Sequence, residues 1–365
     1  MPEMTVRTKL STGMSIKKID GDQFLALEED EVAKLDEEAK QIPFKTVIVW
    51  KNVLMFIGWH IGGLFGLYLL IAGYPKWQTC VWLFILMYYS NFGVAAGAHR
   101  LWCHRSYKAT LPLRIFLMIG NCIAVQNDII EWVRDHRCHH KWTDTNADPH
   151  STKRGFFFAH IGWLLVKKHP QIKIQGAKLD LSDLYEDPVC VWQRHNYIPS
   201  VILFAFVLPT FVPVYFWNES VFVAFPVCAL YRLLFTLHAT WCVNSVSHWF
   251  GYKPYDSAVS AVQADIFNII AQGEGHHNYH HVFPQDYRAS ESPWAANSTG
   301  KLIDLFAKMG LVYDRKIVSD DVIRKQAMGH GDVKYESKDA MPKWQYIFTL
   351  FFSFVIFMGG FPLFL

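Results

Sequence analysis

The chain has 365 residues and a formal net charge of +3, and 52% of it is hydrophobic and 16% aromatic, more apolar matter than a soluble globule carries. The basic residues are spread through polar segments and form no run, which excludes nucleic acid as a partner and leaves the lipid bilayer as the natural one. Seven cysteines, Cys80, Cys103, Cys122, Cys138, Cys190, Cys228 and Cys242, make no C-x-x-C pair and read as reduced, inert thiols and not as a disulfide framework.

Residues 1–45 form a polar lead, acidic from Glu28 to Glu38, with no apolar stretch that would make a signal or transit peptide. From Val53 to Tyr74 the chain is almost uninterruptedly apolar. About 20 residues rising about 1.5 Å each cross a hydrocarbon core of about 30 Å, so this stretch predicts a spanning helix. After the break Tyr74-Pro75-Lys76, residues 79–98 return across the bilayer and complete a helical hairpin. Leu111 to Val125 is shorter than a span and carries Arg114, so it predicts a helix at the interface or against a catalytic domain. Residues 131–178 are polar and histidine-rich, an extramembrane block. Residues 197–217 and 221–243 make a second hairpin around Asn218-Glu219-Ser220.

Lysine and arginine are abundant before Val53, between His99 and Arg194 and after Lys253, whereas the two hairpin turns contain only Lys76. The positive-inside rule therefore puts the long segments, 99–196 and 244–335, in the cytosol together with the N-terminus. The fold class expected is an all-α integral membrane protein: four transmembrane helices in two hairpins, capped by a cytosolic helical domain, within a unit spanning 46–335. A further apolar segment, 345–365, is interrupted by Gly359-Gly360 and Pro362; spanning the bilayer and lying in its interface both remain open for it.

Most of the 17 histidines fall in three clusters just outside the apolar runs. His99 and His104 follow the second span, and His136-Arg137-Cys138-His139-His140 and His277-Asn278-Tyr279-His280-His281 share one H-x-x-H-H spacing. On a helix, positions i, i+3 and i+4 lie on one face, so each copy can offer three imidazoles to a common point. A lone histidine is ordinarily a hydrogen-bonded structural residue, but eight in three patterned clusters point to metal. Imidazole alone does not choose among zinc, copper, iron and nickel. The ligand number does narrow it: eight or nine exceed one tetrahedral zinc, no H-E-x-x-H is present, and two iron ions with an open position for oxygen fit the count. A carboxylate-bridged pair would need E-x-x-H twice, and only Glu274 to His277 has that form, so the site should be histidine-rich. His276 adjoins the third cluster, and helix geometry alone does not say which of its four histidines bind.

These clusters, set between two membrane hairpins, resemble the membrane acyl-CoA desaturases of the stearoyl-CoA type, with the animal and especially insect branch nearest. The resemblance extends through Gly97-Ala98-His99-Arg100-Leu101-Trp102, Trp132-Val133-Arg134-Asp135-His136, Asp148-Pro149-His150, Arg154-Gly155-Phe156, Lys253-Pro254-Tyr255-Asp256 and His281-Val282-Phe283-Pro284, and covers roughly Phe44 to Lys325. It implies a multi-pass di-iron enzyme of the endoplasmic reticulum membrane. Such an enzyme uses O2 and two electrons from cytochrome b5 and its NADH-dependent reductase to place a cis double bond in a saturated or monounsaturated fatty acyl-CoA.

The implied metal ligands are His99, His104, His136, His139, His140, His277, His280 and His281, with a ninth, His248, in Asn244-Ser245-Val246-Ser247-His248, where Asn244 completes the shell through a water. The register shared by the two H-x-x-H-H copies leaves His276 out. By the same resemblance Asn127, Arg134, Asp135, Lys167 and Lys168 contact the CoA moiety. Trp132, Thr240 and Trp241 line the bend of an acyl tunnel, and Met87, twelve residues before His99, stands where its methyl end closes. The alternatives weighed are a histidine-rich di-iron hydroxylase or conjugase and, outside enzymes, a metal transporter. A transporter would place ligands along the spans, where only His60 and His238 stand as scattered exceptions.

Overall fold

The computed structural model describes residues 16–19, 29–291 and 297–332. Four helices in it are long and apolar enough to cross a membrane: Trp50–Ile71, Trp77–Cys103, Tyr197–Trp217 and Val221–His248. They are called here the first to fourth spans. Leu54, Ile61, Leu64, Phe65 and Tyr68 of the first span are exposed large side chains, as a lipid-facing surface requires. The apolar segment at 345–365 lies outside the described residues, so its alternatives stay as stated.

The second and fourth spans run further than their apolar composition predicts. The second continues as a π-helical stretch, Gly93–Cys103, and the fourth ends in a 3₁₀ turn, Val246–His248. The π geometry explains the awkward spacing of His99 and His104. Five residues apart, they would splay on an α-helix, but i→i+5 bonding brings them into line, with the His104 amide donating to the His99 carbonyl at 3.0 Å.

Close backbone approach sets the packing of these spans. A Cβ on Gly66 of the first span would lie 2.1 Å from the Pro226 carbonyl oxygen of the fourth, and one on Gly93 of the second would lie 2.4 Å from the Gly120 carbonyl carbon. Small residues permit such contacts where lipid supplies no hydrophobic drive between helices. Gly120 belongs to Leu111–Ala124, which packs against the second span on one face and keeps Leu111, Ile115 and Phe116 exposed on the other. That helix turns by 80° into Ile129–Lys141. The turn holds Val125 and Asn127 at φ 57° and 71°, and the Asp128 carboxylate then caps the new helix by accepting from the Glu131 amide. Glu131, Arg134, Asp135 and Arg137 in the second half make the bent pair unsuited to being a fifth span.

Inside the bundle, the fully buried Arg232 of the fourth span donates to the carbonyls of Ile123, Ala205 and Cys228. Ala205 lies in the π-helical Ile202–Val207, and Ile123 in the last turn of Leu111–Ala124. The guanidinium therefore satisfies carbonyls where α-helical bonding is interrupted or ends. At the far end of the spans from the histidines, the Glu219 carboxylate accepts from the Lys76 amide and from Thr79 Oγ1, at 2.9 and 2.6 Å, tying the two hairpin turns together. In the polar lead, Glu29–Lys40 is helical and Ile16–Ile19 pairs in parallel with Arg315–Val318.

Gly58 faces open space, with nothing within 4 Å of a Cβ placed there. Gly66→Leu is therefore expected to lower the stability of the purified protein by about 1–3 kcal/mol or abolish its folding, while Gly58→Leu leaves it unchanged. Thermal melting of the two variants in detergent checks this, and equal losses would show that the first and fourth spans do not depend on that contact.

Candidate metal centre

Four separate segments bring imidazoles to one end of the bundle. His99 comes from the second span and His104 from the residue that closes it, His136, His139 and His140 from Ile129–Lys141, His248 from the end of the fourth span, and His277, His280 and His281 from the short helix His277–Val282. They form two groups: His99, His104, His136, His140 and His280 in one, and His139, His248, His277 and His281 in the other. Within each group the candidate ligand atoms all lie within 4.8 Å of one another.

Hydrogen bonding does not account for this convergence. In the first group, Nε2 of His280 lies 2.8 Å from that of His99 and 3.0 Å from that of His140, which lies 3.1 Å from that of His136. In the second, Nε2 of His281 lies 3.2 Å from that of His139 and 3.1 Å from that of His277. A ring nitrogen either donates one hydrogen or accepts into one lone pair, so a nitrogen facing two others is not satisfied by both. Nε2 of His104 and of His248 are buried with no hydrogen-bond partner at all. Ligand nitrogens about 2.0–2.1 Å from one ion and at right angles would stand about 3 Å apart, the spacing seen.

Burial pushes His139 down to about 4, and His136, His140, His277, His280 and His281 well below the ordinary imidazole range. All are therefore neutral at physiological pH, the form that binds metal. The two clusters fit a metal site.

His276 takes no part in either group. Its Nδ1 is 2.7 Å from Ser290 Oγ and its Nε2 3.0 Å from Asp265 Oδ1. A cavity reaches both groups, with His99, His136, His277, Asn244, Trp132 and Thr240 in its wall. Trp241 is instead buried against Phe56 and His160, and Met87 is enclosed with Leu83, Leu86 and Ile123. Arg134 and Lys168 both hold the Asp135 carboxylate, Arg134 at 2.8 Å, whereas Lys167 and Asn127 are exposed.

Three features escape a reading of the sequence. Glu274, noted only as part of an E-x-x-H string, points away from the metal-facing nitrogens: its Oε2 is 2.9 Å from His99 Nδ1, and its Oε1 accepts from Arg100 at 2.7 Å. Burial raises its carboxyl, but Arg100 and His99 outweigh that and hold it down to about 2. Asp148, in the Asp-Pro-His string, lies 3.1 Å from His139 Nδ1, and burial pushes its carboxyl up to about 6. Finally, His60 and His238 are not scattered: their Nε2 atoms are 3.1 Å apart, and His238 Nδ1 lies 3.0 Å from His160 Nε2.

The fatty acid desaturase family model matches residues 75–295. The Caenorhabditis elegans protein named Delta(9)-fatty-acid desaturase fat-7 is 57% identical over 340 residues, covering 93% of this chain and all of the relative. The human stearoyl-CoA desaturase is 49% identical over 80% of this chain and 81% of its own length. A Bombyx mori protein named (11Z)-hexadec-11-enoyl-CoA conjugase is 50% identical over 82% and 90%, so the nematode relative matches at higher identity than the insect one. The spans, the two histidine groups and these matches over most of the chain agree, and the chain belongs to the fatty acid desaturase family.

Proposed function

We propose that this chain is an acyl-CoA desaturase of the endoplasmic reticulum membrane, with its N-terminus and catalytic site in the cytosol. It inserts a cis double bond into a saturated or monounsaturated fatty acyl-CoA, using O2 and electrons from cytochrome b5 and its NADH-dependent reductase. The supporting observation is the cavity, lined at once by apolar Val94, Ala95 and Ala239 and by histidines of both groups. An acyl chain in it would pass both centres. Among the described residues the histidine groups sit at the ends of the spans and not along a path through them, which speaks against a transporter.

Two iron ions would be held, one by His99, His104, His136, His140 and His280, the other by His139, His248, His277 and His281 with Asn244 acting through a water. Iron held there would bind and activate O2, the oxidant, for breaking unactivated C–H bonds. The protein's task is to decide which bond. Trp132 Nε1 donates to Gln126 Oε1 at 3.3 Å, and Gln126 Nε2 donates to Thr240 Oγ1 at 2.8 Å. This bridge fixes two walls of the cavity against each other, and Trp241, packed against Phe56 and His160, holds the fourth span to the first. Positional errors of about 1 Å already slow a positioned reaction, so rigid walls set regiochemistry. Met87, enclosed near the middle of the second span, would close the methyl end. On the cytosolic face Lys167, Lys168, Arg134, Asp135 and Asn127 would receive the CoA moiety, with phosphate exchanging for the carboxylate partners of the cations. The silkworm conjugase favours one second reading, action on an already unsaturated chain.

Expression in a yeast strain lacking its own desaturase tests the activity. Growth without added unsaturated fat and cis-monoenoic acids in total lipid are expected, both lost to background with His139→Ala. Conjugated dienes would favour the second reading, and hydroxy acids would overturn both.

Iron analysis of the purified protein should give about two ions per chain, retained in His276→Phe because His276 is already engaged by Ser290 and Asp265. A single zinc, or iron lost with that substitution, would contradict the ligand assignment.

Lys167→Ala should raise KM for acyl-CoA roughly fivefold, on the order of 1 kcal/mol, with kcat unchanged. Added salt should shrink the difference between the two proteins, as screening of an exposed cation requires. Steady-state rates at two ionic strengths check both.

A further inference from the structure

Each histidine group contains one imidazole whose Nδ1 faces a buried carboxylate, and the two carboxylates differ in what else they touch. In the five-histidine group Glu274 Oε2, otherwise without a hydrogen-bond partner, stands 2.9 Å from His99 Nδ1. Its Oε1 takes two N–H groups of Arg100, from Nε at 3.0 Å and Nη2 at 2.7 Å. Arg100 is itself only 1% exposed, so the carboxylate charge is spent against a guanidinium that water does not reach.

In the four-histidine group both oxygens of Asp148 lie 3.1 Å from His139 Nδ1. Asp148 also accepts from the backbone amides of Asp144 at 2.9 Å and His150 at 3.0 Å, and His150 Nδ1 lies 3.7 Å away. Among the described residues no lysine or arginine pairs with it.

A carboxylate that accepts Nδ1–H fixes the ring, commits Nε2 to the metal and makes the imidazole a stronger donor. A counter-cation on that carboxylate weakens the effect, because the negative charge is partly neutralised before it reaches the ring. We infer that Glu274 and Asp148 are positioning residues that make the two metal centres unequal: Asp148 strengthens His139 as a donor more than Glu274, tied to Arg100, strengthens His99. The stronger carboxylate serves the centre with fewer imidazoles, which compensates it in part for the missing one. This inference rests on the two-iron reading of the site.

The test is Mössbauer spectroscopy of the full-length protein purified with ⁵⁷Fe and reduced to the ferrous state, alongside iron content. Two doublets of equal area are expected in the wild type. Asp148→Asn should move one of them and Glu274→Gln the other, each leaving its neighbour in place, and Asp148→Glu should return the first toward its original position. Release of iron to a chelator should rise about 10- to 100-fold in the two amide variants. A single doublet for both irons, the same doublet moved by both variants, or no movement would overturn the inference while leaving two irons per chain intact. Fewer than two irons in the wild type would instead overturn the two-iron reading, and this inference with it. If Glu274→Gln does not fold, because Arg100 is left buried without its partner, Asp148→Asn decides alone: it must move one doublet only.

Discussion

Nine imidazoles gathered in two groups, with the candidate ligand atoms of each within 4.8 Å of one another, are the constraint on which the rest of this structure depends. Burying ring nitrogens without partners costs free energy, and here the nitrogens facing one another cannot all be satisfied by hydrogen bonds. A cation held by each group would remove that conflict. Metal binding and folding would then be coupled, since the imidazoles of the four segments face one another without enough donors to satisfy them all. The helix His277–Val282 is only six residues long, too short to hold together by itself, and gives the clearest instance of a segment that must be fixed from outside.

What the histidines need from the bundle is a rigid base, and the sequence supplies it through residues that are neither apolar nor catalytic. Gly66 lets the first span seat on the fourth, Gly93 and Gly120 lock the second span to Leu111–Ala124, and Arg232 gathers carbonyls from three helices. Glu219 closes the opposite end. Each device costs something alone: glycine lowers helix propensity, and a buried guanidinium demands full satisfaction. Together they fix the spans along their whole length.

The parts of this that were readable in the sequence are those governed by local periodicity. Apolar runs of span length gave the four helices, because bilayer thickness sets that length directly. The repeated H-x-x-H-H gave three imidazoles per copy on one face, because the helix repeat does. His248 had no such periodicity, and only the resemblance singled it out. Glu274 is not legible as a partner of His99, since the two are 175 positions apart and meet only through the tertiary fold, whereas Asp148 lies past the end of the helix that carries His139 and reaches it only through the turn that follows. His60, His160 and His238 were hidden for the same reason. The helices of the second and fourth spans extend past their apolar runs, because residues 99–103 and 244–248 continue the winding without continuing the hydrophobic pattern.

That continuation is what joins membrane to chemistry. His99 and His248 do not sit on loops leaving the bilayer; they sit on the same helices that pack as the second and fourth spans. A slip of one residue in either span would carry its histidine about 1.5 Å along the helix axis, three times the tolerance of about 0.5 Å for a functional constellation. The π-helical turns matter here, because each inserts a residue's worth of rotation without ending the helix. In Gly93–Cys103 that rotation brings His99 and His104 side by side, their ring centroids 4.8 Å apart, and turns both toward the metal-facing end of Ile129–Lys141. A straight α-helix of the same sequence would keep the span and lose the site, so the irregular winding of the second span is a requirement of the histidine spacing and not a defect in it.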